Sequence, residues 1–430
     1  MKLPAPLKEF LPFSPPFAGE EEILELADAV RSGWLTKGPR TELFERKIAE
    51  FIGASESLSL SSCTAALHLG LRVLNVGPGD GVVTTPLTFV STAHAILYVG
   101  ALPFFADVDP LTGNLSPEKA RAFLENDCVP GPKGRRRARA GTGRTVRAIL
   151  PVHYGGNPLE LDKFDEIARE FKLDILEDAA HAFGSKIGDD FVGGDALLGR
   201  GKDGPRRLAA FSFYATKNLA TGEGGLLTAN DPALLARARI LSSYGISDAR
   251  RIWEEKAGAP GKVARRRHPW DYDVRELGFK TNFTDLGAAL GLAQLRKYPA
   301  MAEARRRIAG LYEKHLGALP DLATLPEERE GTTHSRHLYP VLFKTEALLA
   351  DRDRILEMLA DLNIGTSVMF KPIHLFSHYR KLLGIPRGTF PAAEDFSERV
   401  ASLPVSPGPD PETSAAAARK TAELLLALKK

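Results

Sequence analysis

Between about residue 41 and residue 245, short apolar runs alternate with stretches of helical periodicity, and few architectures accommodate that alternation. Residues 43–51 read as a helix, and 82–85, 102–106, 147–152 and 175–177 read as short strands with helices between them. Strands separated by helices imply a mainly parallel sheet covered on both faces. Residues 284–319 have helical periodicity, with Thr284 or Asp285 as the cap and Pro299 as a break. The junction between a large domain, 1–295, and a smaller α+β C-terminal domain, 296–430, is placed in this segment. That smaller part holds a strand at 337–343, a helix at 349–362 and a final helix at 413–428. A chain of 430 residues is long enough for two domains.

In open parallel sheets, functional groups gather at the carboxyl ends of the strands. Four segments supply suitable chemistry. Lys217 follows an apolar strand pattern, precedes the glycine-rich turn Gly222-Glu223-Gly224-Gly225, and lies five residues after Ser212. Lysine bonds carbonyl compounds, and pyridoxal phosphate (PLP) is its common partner, although most lysines are simply solvated. Asp178 ends an apolar run and precedes His181 by three residues. An acid there can hold a pyridine nitrogen in its charged form, or merely cap a helix. Ser61, Ser62, Cys63 and Thr64 precede the helical pattern Leu67, Leu69, Leu71. This is an ordinary helix cap or an anion site built from free N–H groups. Phe89 follows a strand and the turn at Pro86, where it can pack in a core or stack on a flat heterocycle.

Taken in this order, the segments resemble the DegT/DnrJ/StrS family of PLP-dependent sugar aminotransferases. The resemblance begins at Ser32-Gly33-Trp34-Leu35-Thr36-Lys37-Gly38-Pro39 and runs through Val152-His153-Tyr154-Gly155, Gly278 to Asp285, Phe370-Lys371-Pro372-Ile373-His374 and Leu403-Pro404-Val405. It implies the type I PLP-dependent transferase fold, similar to aspartate aminotransferase. It further implies that Lys217 bonds the cofactor's aldehyde and that Asp178 partners the pyridinium nitrogen. His181 would contact the ring hydroxyl and Phe89 would stack on the ring. Thr64, with the backbone of Cys63 and Ala65, would cradle the phosphate together with Ser212. Asn282 would reach the phosphate of the second subunit, so the active sites are shared within a homodimer. Trp34, Thr36, Lys371 and His374 fall in the motifs expected to bind substrate. Two departures stand out. Cys63 replaces the glycine usual in the cradle, which predicts a loop that sits differently, and Met369 stands where relatives often carry His or Tyr.

The implied reaction is a ping-pong transfer of an amino group from glutamate to a nucleotide-linked keto sugar, with the segments around Lys280, Asn282 and Phe370 pointing to amination at C4. A dehydratase branch of the family replaces the lysine by histidine, and this chain keeps Lys217. Two other readings are a PLP-binding regulatory protein and a PLP enzyme acting on amino acids alone. No helix-turn-helix pattern supports the former, and the motifs at Trp34 and Phe370 oppose the latter.

Composition adds boundaries. A net charge of +3 does not by itself imply nucleic acid. Cys63 and Cys128 offer neither a disulfide framework nor a metal spacing, so no metal is expected and a reducing cytoplasm is the default. No apolar run reaches membrane-spanning length, and the first residues lack the apolar core of a signal peptide. Three basic stretches look like insertions: 131–144, 197–207 and 257–268. Each reads either as a solvated loop or as an attractor of a nucleotide diphosphate; the first two favour the solvated loop, and the third is balanced between the readings.

Overall fold

A computed structural model describes residues 4–139, 143–201, 203–247 and 272–430. The stretch 257–268 lies outside the described residues. Seven strands form the main path of the central sheet: β1 (Leu58–Leu60), β2 (Asp80–Thr84), β3 (Leu102–Phe105), β4 (Thr145–Leu150), β5 (Asp174–Asp178), β6 (Arg207–Ser212) and β7 (Gly225–Ala229). Their order is β1-β7-β6-β5-β4-β2-β3. From β6 to β3 every pairing is parallel, and β7 alone runs against its two neighbours, β6 and β1. The four predicted short strands are therefore present, paired as the alternation with helices requires.

Burial explains the composition of these strands. All residues of β5, β6 and β7 are buried, because helices cover both faces of the sheet. One core layer joins Leu67, Leu69 and Leu71 of the helix Cys63–Val73 to Leu176, Leu208 and Leu227. The opposite layer joins Phe164 and Ile167 to Val83, Ile149 and Ile175. A buried ionic group also sits on the sheet. Glu177 bonds His153 at 3.0 Å, and Arg207 reaches Asp165 at 2.6 Å.

The helix Asp285–Leu316 is continuous over 32 residues, with Pro299 inside it. The predicted break is thus corrected. Proline removes one helical hydrogen bond, but Tyr298 and Met301 on either side are locked into the core beside Phe183. Packing of the helix outweighs the local defect. Thr284 is the cap, its Oγ1 accepting from the Gly287 N–H at 3.2 Å. Asp285 serves a different helix, accepting from the N–H groups of Gly38, Arg40 and Thr41 at the start of Pro39–Ile52.

The long helix changes core along its length. Ala288, Leu292 and Met301 pack in a core with Phe44 and Phe211 of the large sheet region. Ile308, Tyr312 and Leu316 pack instead with Tyr339, Val341 and Phe343. Around the latter, Tyr339–Phe343 pairs antiparallel with Ala323–Thr324 and Val400–Leu403, backed by the helices Arg352–Asp361 and Pro411–Ala427. No helix among the described residues is long and apolar enough to cross a membrane.

Candidate active site

The parallel strands deliver their side chains to one edge of the sheet. Asp178 is the last residue of β5 and lies in register with Ala210 of β6. Ser212 closes β6, and Lys217 follows in the next turn. Phe89 stands immediately before the helix Val90–Tyr98, after the turn that leaves β2. The helix Cys63–Val73 begins at the same edge. Cys63, Thr64, Phe89, Asp178, His181, Ser212 and Lys217 all line one cavity of about 480 Å³, with His337, Met369 and Phe370 on its far wall.

Asp178 is 4% exposed. Its Oδ2 accepts from Thr92 Oγ1 at 2.7 Å and its Oδ1 from the Ala180 N–H at 3.1 Å. Burial raises its pKa, while those two bonds and the nearby Lys217 pull it back. Lys217 responds in the opposite sense, burial lowering its pKa to about 8 against the attraction of Cys63 and Asp178. Burial also pushes the Cys63 thiol well upward, so at neutral pH it is uncharged, and Asp178 is the anion that matters to Lys217. His181 is pushed well below its ordinary value by burial and by Lys217. Its Nδ1 accepts from the Gly155 N–H at 3.2 Å, which leaves the hydrogen on Nε2.

The helix start forms the remaining wall. Ser62 is extended, and its Oγ accepts from the Ala65 N–H at 3.1 Å. The N–H groups of Cys63 and Thr64 precede the first intrahelical bond, which runs from Ala66 to the Ser62 carbonyl. They are joined in the cavity by the Ser212 side chain. Gly225 permits this closeness: a Cβ there would lie 2.3 Å from the Ser62 carbonyl carbon and 2.5 Å from the Cys63 nitrogen. Cys63 needs no glycine-like backbone, because it is already helical and turns its sulfur to the Ala210 carbonyl at 3.7 Å.

These groups suit PLP. A half-buried amine, a buried carboxylate, an aromatic rim and unpaired first-turn N–H groups face one space, matching in kind an aldehyde, a pyridine nitrogen, a ring face and a phosphate.

Other expected site residues lie elsewhere. Ala65 has its N–H committed to Ser62 and does not line the cavity. His374 is a correction: its side chain is fully buried and its Nε2 bonds Glu394 at 3.0 Å, so it cannot meet a substrate. Lys371 is exposed and its ammonium lies over Phe376 at 5.2 Å, away from the cavity lining. Trp34 and Thr36 are exposed and line no part of this cavity, the Thr36 carbonyl instead accepting from the Asp285 N–H at 2.9 Å. Asn282 also stays outside its own chain's cavity, bonded to Lys280 and to the Phe283 carbonyl. Among the described residues of the basic stretch 131–144, Arg136–Ala138 pairs antiparallel with Cys128–Pro130 and, through Arg137, with Thr145, the first residue of β4. It stands at the amino end of the parallel strands, opposite the cavity, which favours the solvated-loop reading of it for its own chain.

Sequence reasoning missed Thr92 and His337. Thr92 sits one helical turn beyond Thr88, and the two hydroxyls bond at 2.8 Å, a local spacing that was available to read. His337 had no local signal, since it stands in the segment just before the strand Tyr339–Phe343 in the C-terminal part of the chain.

The site and the fold are those of a PLP-dependent sugar aminotransferase. Residues 16–420 match the model of the DegT/DnrJ/EryC1/StrS aminotransferase family, and the chain belongs to that family. It is 40% identical to the spore coat polysaccharide biosynthesis protein SpsC of Bacillus subtilis over 93% of this chain and 92% of that one. Among solved structures, the PLP form of Spr1654 of Streptococcus pneumoniae superposes with a TM-score of 0.81 at 28% identity, covering 98% of this chain and 100% of that chain. PseC of Helicobacter pylori, an aminotransferase involved in the biosynthesis of pseudoaminic acid, gives a TM-score of 0.81 at 27% identity with the same coverage.

Proposed function

We propose that this enzyme moves an amino group from glutamate to a nucleotide-linked keto sugar, at C4, in two successive half-reactions. The observation that carries the reading is the shared cavity: Lys217 and Asp178 meet there with the open start of the helix Cys63–Val73. In this reading Lys217 bonds the cofactor's aldehyde, Asp178 pairs with the ring nitrogen and Phe89 covers a ring face. His181 Nε2 donates to the ring hydroxyl, while Thr64, Ser212 and the Cys63 N–H hold the phosphate. When bound, PLP supplies the aldehyde that takes up the amino group and the ring that draws off the electron pair of the broken C–H bond.

The chain's residues then do the acid–base work. In the cofactor-free chain burial already lowers the pKa of Lys217 to about 8, towards the range in which an amine serves as a base near neutral pH. Once free, its Nζ takes the proton from the α-carbon of glutamate. The same atom returns a proton to the carbon that receives the amine on the sugar. Asp178, kept in place by Thr92 and Ala180, is the buried negative charge that favours a positively charged ring nitrogen.

The reading extends to assembly and location. Asn282 lies outside its own cavity, which suits a residue given to the site of a second copy in a homodimer. The domain boundary, expected at residue 295, is drawn within the helix Asp285–Leu316, whose change of core between Met301 and Ile308 lies further along the same helix. Both cysteines are buried and unpaired, as suits a reducing cytoplasm.

Borohydride reduction of the protein loaded with PLP will fix the cofactor to Lys217, detected by peptide mass spectrometry. A panel of nucleotide keto sugars with glutamate, analysed by mass spectrometry, then identifies the acceptor and the carbon aminated. Modification at any other lysine, or no aminated sugar from the panel, sinks the proposal.

A further inference from the structure

The wall of the cavity opposite the sheet carries an imidazole whose hydrogen can be located from its neighbours. His337 Nε2 stands 3.4 Å from Lys217 Nζ. His337 Nδ1 stands 3.3 Å from Asn218 Oδ1. The orientation of the Asn218 amide is set in turn, because its Nδ2 donates to the Ser335 carbonyl at 2.8 Å. Oδ1 is therefore the atom that faces His337, and an amide oxygen only accepts. The hydrogen of neutral His337 must then sit on Nδ1, leaving a bare lone pair on Nε2 aimed at the lysine.

We propose that His337 is a positioning residue that accepts a hydrogen bond from the free amine of Lys217 and holds it between proton transfers, with Asn218 fixing the required tautomer. The inference rests on Lys217 being the amine that moves the proton. An amine released from the cofactor has several rotatable bonds, and a fixed acceptor confines it to the position from which it next takes or returns a proton. Asn218 follows Lys217 directly, while His337 comes from the C-terminal part of the chain. The contact thus ties the two parts together at the reacting nitrogen.

The electrostatic setting agrees. The groups facing Lys217 are Asp178 at the end of β5, Cys63 at the helix start, and the His181 and His337 rings, which lie 4.5 Å apart. Behind His337 stand His334 and Arg305. Burial, with Lys217, His181, Arg305 and His334, pushes His337 well below the ordinary histidine value, so it stays neutral and able to accept. An acceptor bonded to an ammonium favours the charged form. Removing it should lower the pKa of Lys217 further.

The test uses full-length wild type, His337→Leu and His337→Gln. Leucine fills similar space without an acceptor, and glutamine restores one. In protein stripped of cofactor, the pH midpoint for acylation of Lys217, followed by peptide mass spectrometry, should fall by about one unit in His337→Leu and recover in His337→Gln. In protein loaded with PLP, His337→Leu should lose about tenfold in kcat with the KM for glutamate little changed, and His337→Gln should regain most of it. A midpoint unmoved in His337→Leu, or a glutamine variant no better than the leucine one, overturns the proposal. Borohydride fixation in the same variants reports separately on the cofactor bond: if Lys217 is never modified, the proposed reaction fails rather than the role of His337. Circular dichroism of both variants excludes unfolding as the cause.

Discussion

Ionisable side chains concentrate at both edges of the central sheet, under opposite conditions. At the carboxyl edge, Asp178, Lys217, His181 and His337 share one cavity, and burial shifts all four away from their ordinary pKa values. At the amino edge, cations are more numerous. Arg136 lies over Phe171 at 5.2 Å, Arg206 pairs with Asp174 at 2.7 Å and Arg121 bonds Glu170. These cations remain partly in water, where pairing is worth little and a charge costs little. The lesson is that density of charge does not mark a site. Incomplete compensation of charge out of water does, because only there does a protonation state become adjustable.

The most severe way to break the comparison is Lys217→Ala. Turnover should fall by at least about a thousandfold, since no other lysine among the described residues lines the cavity to bond the aldehyde or move the proton. The thermal melt should show a folded protein, and turnover close to wild type would remove Lys217 from the chemistry. Asp178→Asn should cost about a hundredfold or more in kcat while the cofactor is still retained by its other contacts. An unchanged kcat would show that the buried negative charge is idle.

A smaller effect concerns pH. In the cofactor-free protein the folded pKa of Lys217 is about 8, against an ordinary 10.5. Between those values the unfolded chain binds the proton and the folded chain does not, so this residue makes stability rise with pH across that window. Below it both states are protonated, and the slope vanishes. Lys217→Met should flatten the rise, measured as the difference in urea midpoint between about pH 8 and about pH 10. Equal slopes in variant and wild type would mean that the amine is not desolvated.

The smallest effect belongs to the other edge. Reversing charge with Arg136→Glu and Arg137→Glu should change the KM for the nucleotide sugar by less than about twofold. A large rise in KM would show that the hairpin reaches a substrate after all, in this chain's site or a second copy's.

Much of the carboxyl edge was legible because its signals are local. A strand that ends in Asp178 with His181 three residues on, and a lysine between a strand and a glycine-rich turn, are short patterns with one geometric meaning in a parallel sheet. Even the helix cap at Ser62 follows from residue type and position. The failures are equally instructive. His374 has the chemistry of a ligand, yet Glu394, twenty residues away in sequence, holds it in the interior. Pro299 is a strong local helix breaker, yet the long helix continues because Tyr298 and Met301 beside it are held in the core with Phe183.

By itself, then, the order of strands and helices determined a parallel sheet, and with it the edge where Asp178, Ser212 and Lys217 must emerge, because strand direction dictates where each run of residues ends. Only the tertiary structure decided what stands opposite them. His337 reaches Lys217 across a separation of 120 residues, and Asn218 settles which of its nitrogens carries the hydrogen. Such contacts depend on how the C-terminal part packs over the sheet, and no spacing along the chain encodes that meeting.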